Sequence, residues 1–232
     1  MRIFLVTLPS QYVMKTSSSR TALIAGATGL IGSQLLTKLL HTPYYDNVVV
    51  LTRKSLEITN TKLTEVIFNF DNPDSSKVIA DDIFCCLGTT IKKAGSKDAF
   101  RKVDYEYPLT IAKLARKNGA EKFMIVTAMG ADPQSGIFYN KVKGEVEQGL
   151  MNMDYSILHI LHPSLLLGDR KESRFGEQIG EVLAAVFKPF MFGPLKKYRA
   201  IDSEKVANAM LALAKKTDKG IFVHDSAELQ AF

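Results

Sequence analysis

From Thr21 onward, short apolar runs alternate with longer segments in which apolar residues recur every three or four positions. Thr21 to Ala25 reads as a strand. Leu30 to His41 reads as a helix, with Ile31, Leu35, Leu36, Leu39 and Leu40 on one face. Val48 to Leu51 is wholly apolar, the pattern of a parallel strand buried on both sides. Val66 to Phe70 and Ile83 to Leu87 predict two more strands. Asp104 is expected to cap a helix running through Asn118, with Pro108 tolerated near its start and Gly119 ending it. Phe123 to Val126 predicts a strand, Ile137 to Met151 a helix and Tyr155 to Leu161 a strand. Beyond His162 the regularity weakens. Phe175 to Phe187 predicts a helix, and Pro189 to Arg199, with Gly193 and Pro194, a loop. Ser203 to Lys216 is amphipathic, with Val206, Ala209, Met210, Leu213 and Ala214 on one side. Ile221 to Val223 predicts a last strand. Such alternation argues for an α/β fold: a doubly wound parallel sheet with right-handed crossovers.

Length then bounds the organisation. The chain's 232 residues suit a single domain over residues 20–232, with 162–232 forming a small carboxyl-terminal lobe on the substrate side. Residues 1–19 predict a disordered extension. Met14 offers a second plausible start, and the preceding apolar run is too short for a secretory signal. No run reaches the ~18 apolar residues of a membrane span, so no membrane partner is expected. The formal charge is +6, but the basic residues are scattered. No aromatic-interleaved stripe accompanies them, which argues against nucleic acid and for smaller anionic ligands. Cys85 and Cys86 are adjacent in an apolar run and form neither a disulfide framework nor a CxxC pair. A reducing, cytoplasmic setting is the simplest expectation. The four histidines lack zinc-ligand spacing, and no GxSxG elbow occurs, so neither a metal site nor serine hydrolysis is expected.

The first chemical signal is Gly26-Ala27-Thr28-Gly29-Leu30-Ile31-Gly32, between the first strand and the first helix. Glycines there let the backbone turn tightly and approach a pyrophosphate, and the helix N-terminus presents free N–H groups to it. The spacing is GxxGxxG rather than the commoner GxGxxG. After the second strand an NAD site usually places an acid for the ribose 2′-hydroxyl. Here Arg53 and Lys54 stand instead, which suits the 2′-phosphate of NADP(H).

The second signal is Tyr139 and Lys143, four residues apart and so on one face of the predicted helix. The lysine ammonium would favour a tyrosinate, and Tyr139 could exchange a proton with a substrate oxygen while a nicotinamide moves a hydride. Thr127, at the carboxyl end of its strand, could orient that oxygen.

Together, Gly26 to Gly32, the run Cys85-Cys86-Leu87-Gly88-Thr89-Thr90, and Tyr139 with Lys143-Gly144-Glu145-Val146-Glu147 resemble the short-chain dehydrogenase/reductase superfamily. Within it they are similar to the atypical branch that includes the Tat-interactive oxidoreductase-like proteins. The resemblance runs from about Thr21 to Arg174. It implies a Rossmann fold with NADP(H) across the strand ends. Gly26, Thr28, Gly29, Leu30, Ile31 and Gly32 would hold the pyrophosphate. Leu87, Gly88 and Thr89 would line the cofactor, Asp71 would reach the adenine, and Lys143 would also hold the nicotinamide ribose. His162, Pro163 and Ser164 would pass beside the nicotinamide. Thr127-Ala128 replaces the paired serines of many relatives, and His162 replaces an arginine. The expected activity is NADPH-dependent reduction of a small carbonyl substrate, with a homodimer as a possible assembly. The alternatives are a redox-sensing NADP(H)-binding regulator without turnover and an epimerase or dehydratase.

Overall fold

The computed structural model describes residues 19–167 and 199–232. The expected helix at Phe175 to Phe187, nearly all of the loop from Pro189, and the extension before Ser19 lie outside them. The first elements form where the apolar pattern puts them: β1 (Thr21–Ala25), α1 (Leu30–His41) and β2 (Asn47–Thr52). β3 is Leu63–Ile67 rather than Val66 to Phe70. It pairs with β2 alone, Val48 beside Leu63 and Thr52 beside Ile67. An edge strand needs no continuous apolar run, so the stronger run beyond it misplaces the strand by three residues.

β4 (Asp82–Cys85) leads into two short helices, α2 (Ile91–Ala94) and α3 (Lys97–Arg101). A five-residue π-helical stretch, Lys102–Glu106, joins α3 directly to α4 (Tyr107–Lys117). Asp104 therefore lies inside a continuous helical run and does not cap it. The true cap at the start of α3 is Ser96, whose hydroxyl accepts the Ala99 N–H at 3.0 Å. The far end matches expectation. Gly119, at φ +96°, donates to Arg116, and Ala120 donates to Ala115, closing α4 in a Schellman motif.

β5 (Lys122–Val126), α5 (Phe138–Met151) and β6 (Ile157–His162) follow, then β7 (Leu166–Leu167), β8 (Ile201–Asp202), α6 (Ser203–Ala214), β9 (Gly220–Asp225) and α7 (Ser226–Leu229). Seven strands form one parallel sheet in the order β3-β2-β1-β4-β5-β6-β9, while β7 and β8 pair separately. Of the stretch read as a small lobe, β9 is the seventh strand of the main sheet and α6 belongs to its core.

Each face of the sheet carries one apolar layer. α1 and α6 cover one, through Leu35, Leu39, Val206 and Met210 against Ile24, Phe84 and Met124. α4 and α5 cover the other, through Ile111, Ala115, Val146 and Leu150 against Leu23, Ile83 and Phe123. The two directions of winding meet between β1 and β4. Beyond their carboxyl ends the chain departs to opposite faces, to α1 on one and α4 on the other, which makes the crevice where open α/β sheets bind ligands.

Candidate active site

The glycine turn sits at that crevice. Gly26 has φ +90°, and a Cβ on it would lie 2.5 Å from the Cys86 carbonyl. A Cβ on Gly32 would lie 2.1 Å from the Gly26 carbonyl oxygen, so α1 starts hard against β1 only because both positions are bare. Gly29 is the N-cap of α1, and no side chain caps the helix. The first amides are thus left for an anionic ligand, and the helix dipole favours one. Thr28 and Gly29 are exposed and Leu30 is half-buried. Ile31 and Gly32 are buried, so they can serve a ligand only through backbone. This cradle fits a dinucleotide pyrophosphate.

Arg53 and Lys54 follow β2 and are exposed. The turn that carries them is pinned by Thr52, whose hydroxyl donates to the Lys54 carbonyl at 2.7 Å. Further along the same edge, Asp71 forms an ion pair with Lys102 at 2.7 Å and accepts the Tyr107 hydroxyl at 2.6 Å. Those two donors, Lys102 first, hold its carboxyl below the usual carboxylate range. Phe70 lies 5.3 Å from the Tyr107 ring, and beside them opens a cavity of about 220 Å³.

Across the crevice, Tyr139 and Lys143 lie one turn apart on α5. The Lys143 Nζ stands 6.0 Å from the centre of the Tyr139 ring, which packs 5.6 Å from Phe100 of α3. Lys143 is buried and reaches Asp104 Oδ1 at 2.7 Å. Asp104 Oδ2 accepts the Thr89 N–H at 2.9 Å. Burial opposes the charge on Lys143, but Asp104 and then Tyr139 outweigh it and hold the ammonium above the usual lysine range. Burial also raises the Asp104 carboxyl, against the pull of Lys143. Gly88 completes the group: its missing Cβ would sit 3.5 Å from Asp104 Oδ1 and 3.9 Å from Lys143 Nζ. Leu87, Gly88, Thr89 and Lys143 are thereby brought together.

Asp104 is the residue that reading the sequence missed. The signal was present. With Phe100, Pro108, Ile111 and Ala112, Asp104 falls at helical spacing on one stripe, and all five are buried. A carboxylate on an apolar stripe requires a buried partner.

Thr127 and the segment after β6 are arranged differently. The Thr127 hydroxyl is buried and donates weakly to the Leu161 carbonyl at 3.4 Å, so the sheet engages it. His162 Nε2 meets Glu147 Oε1 at 2.9 Å, which ties the end of β6 to α5 one turn beyond Lys143. The Pro163 carbonyl accepts the Met129 N–H at 3.2 Å. The Ser164 hydroxyl donates to the Arg199 carbonyl and accepts from Ser226 at 2.9 Å, which points it away from α5 and into the carboxyl-terminal elements.

Residues 22–137 match the family model of the NAD dependent epimerase/dehydratase family. The chain belongs to that family. It is 34% identical over 195 residues to Protein FMP52, mitochondrial, of Candida albicans, covering 79% of this chain and 84% of the relative. It is 35% identical over 165 residues to Protein HTATIP2 of Rattus norvegicus, covering 68% of each. These likenesses place it in the atypical short-chain dehydrogenase/reductase branch that contains the Tat-interactive proteins. The fold matches that of MoeE5 in complex with UDP-glucuronic acid and NAD, with a TM-score of 0.69 at 17% identity, over 88% of this chain and 75% of that one. The fungal relatives correct one expectation. FMP52 proteins carry the designation mitochondrial, which overturns the cytoplasmic setting inferred from two unpaired cysteines. A reducing compartment keeps thiols free, but it does not distinguish cytosol from organelle. Cys85, buried, and Cys86, partly buried, are both free, and burial pushes their thiols far up, which makes them poor nucleophiles.

Proposed function

We propose that the protein is an NADPH-dependent oxidoreductase that reduces a small carbonyl compound. The observation that carries this reading is the pair on α5: a tyrosine and a buried lysine ammonium one turn apart, beside the Gly88–Thr89 edge of the crevice. Bound NADPH would supply the hydride. Tyr139 would donate its phenolic proton to the carbonyl oxygen, and the Lys143 ammonium would stabilise the phenolate left behind. Lys143 would also meet the nicotinamide ribose. Gly26, Thr28, Gly29, Leu30, Ile31 and Gly32 would bind the pyrophosphate through backbone and the start of α1. Arg53 and Lys54, exposed at the end of β2, support NADPH over NADH by offering cations to a 2′-phosphate. Asp71 would serve the adenine end, and Thr127 would act on the substrate only by giving up its bond to Leu161. By kinship with FMP52, we place this activity in the mitochondrion.

The test is Tyr139→Phe assayed against a panel of aldehydes and ketones. Removing the proton donor should lower NADPH consumption by about a hundredfold or more while the NADPH dissociation constant changes less than about twofold. Full activity in the variant, or loss of NADPH binding along with activity, counts against the reading. Turnover of a substrate without net consumption of NADPH would favour the epimerase alternative.

A further inference from the structure

Asp104 is buried to 1% exposure in the centre of the π-helical stretch. A π turn carries an extra residue, and such turns mark functional positions more often than ordinary helix does. Here the turn aims a carboxylate between two separate parts of the crevice. One oxygen stands 2.7 Å from Lys143 Nζ on α5, and the other accepts the Thr89 N–H that follows β4. Gly88 borders both charges: a Cβ there would be in van der Waals contact with the carboxylate, at 3.5 Å, and with the ammonium, at 3.9 Å.

An ammonium buried as Lys143 is cannot stay charged on its own, because removal from water favours the neutral amine. The groups that face it are Asp104 from the π turn, Tyr139 from its own helix and Cys85 from β4. Of these, only Asp104 brings a carboxylate against the ammonium, at 2.7 Å. A neutral Lys143 would have nothing with which to stabilise a phenolate on Tyr139.

We propose that Asp104 is the positioning residue of the Tyr139/Lys143 pair, keeping Lys143 an ammonium at its buried place and fixing it to the Gly88–Thr89 edge. The inference rests on the function proposed above for the pair's place in a reaction, but the charge state of Lys143 does not depend on turnover.

The test is a lysine-observed NMR titration of the full chain without cofactor, labelled at lysine ε-carbon, with the Lys143 signal assigned by its loss in Lys143→Arg. In the wild-type chain Lys143 should titrate no lower than an ordinary lysine. In Asp104→Asn it should titrate about one pH unit or more lower. The same Lys143 midpoint in both proteins would overturn the proposal. So would a wild-type Lys143 that titrates below the ordinary lysine range. If Asp104→Asn does not fold, the wild-type titration decides alone. A chain that shows the predicted Lys143 behaviour but reduces no carbonyl leaves this inference standing and removes the reductase reading.

Discussion

His159, His224 and Glu228 form a chain of their own at the far side of the sheet. Glu228 can only accept, so His224 Nδ1–H donates to it at 2.8 Å. His224 Nε2 then accepts, and His159 Nδ1–H donates to it at 2.9 Å. The His159 Nε2 lone pair is left buried without a partner, and its ring stacks on Phe222. Burial, then the charges of His224, Lys122 and Lys216, push this imidazole from an ordinary 6.5 down to about 4. Between those values the unfolded chain binds a proton that the folded chain refuses. The contribution to stability is therefore complete above pH 6.5 and falls as pH drops toward 4, by about 3 kcal/mol in all. Urea midpoints measured across that window should fall steeply for the wild-type chain and less steeply for His159→Leu. Equal slopes would show that His159 is not the group responsible. No spacing rule revealed this chain, because two histidines on different strands share a face only once the register of β6 and β9 is fixed.

At the scale of elements, α5 matters most for the site. Its Tyr139/Lys143 spacing was legible because four residues on a helix always share a face. Its seating was not legible. A Cβ on Gly144 would come within 2.2 Å of the Asp132 and Pro133 backbone, so α5 lies directly on that turn. Gly144→Ala should push α5 away from the turn, and Lys143 with it. Overpacking against backbone costs about 1–3 kcal/mol, which for a chain of this size lowers the melting temperature by several degrees (about 2–4 °C per kcal/mol). An unchanged melting temperature would mean that the turn at Asp132 yields freely. The helical run from Lys97 to Lys117 was only half legible. Pro108 and the acidic Asp104 imitate a helix start, yet the helix begins earlier and continues through both by way of the π turn. The buried stripe runs unbroken through the π turn, so it marks the inward face of the run but not where the helix starts.

For the whole molecule, the parallel sheet could be read directly, because strands buried on both faces are apolar without interruption and the helices between them are amphipathic. β3 is displaced by three residues because it is an edge, whereas Ile221 to Val223 marks β9 even though Ile221 and Val223 are half-exposed there. The glycine turn was readable for a different reason: its glycines answer to close backbone contacts that no other residue permits. The Asp104–Lys143 pair was not, since it joins residues 39 positions apart that only the wound sheet brings together. In the function proposed above, this crevice holds NADP(H) with its nicotinamide facing Tyr139. The measurement that tests it most directly is a crystal structure with NADP⁺ bound. Nicotinamide C4 and the Tyr139 hydroxyl should open onto one cavity, with about 3–3.5 Å on each side for the reacting atoms of a carbonyl. A Tyr139 hydroxyl turned away from the nicotinamide, or a cavity closed by the carboxyl-terminal elements, would contradict it.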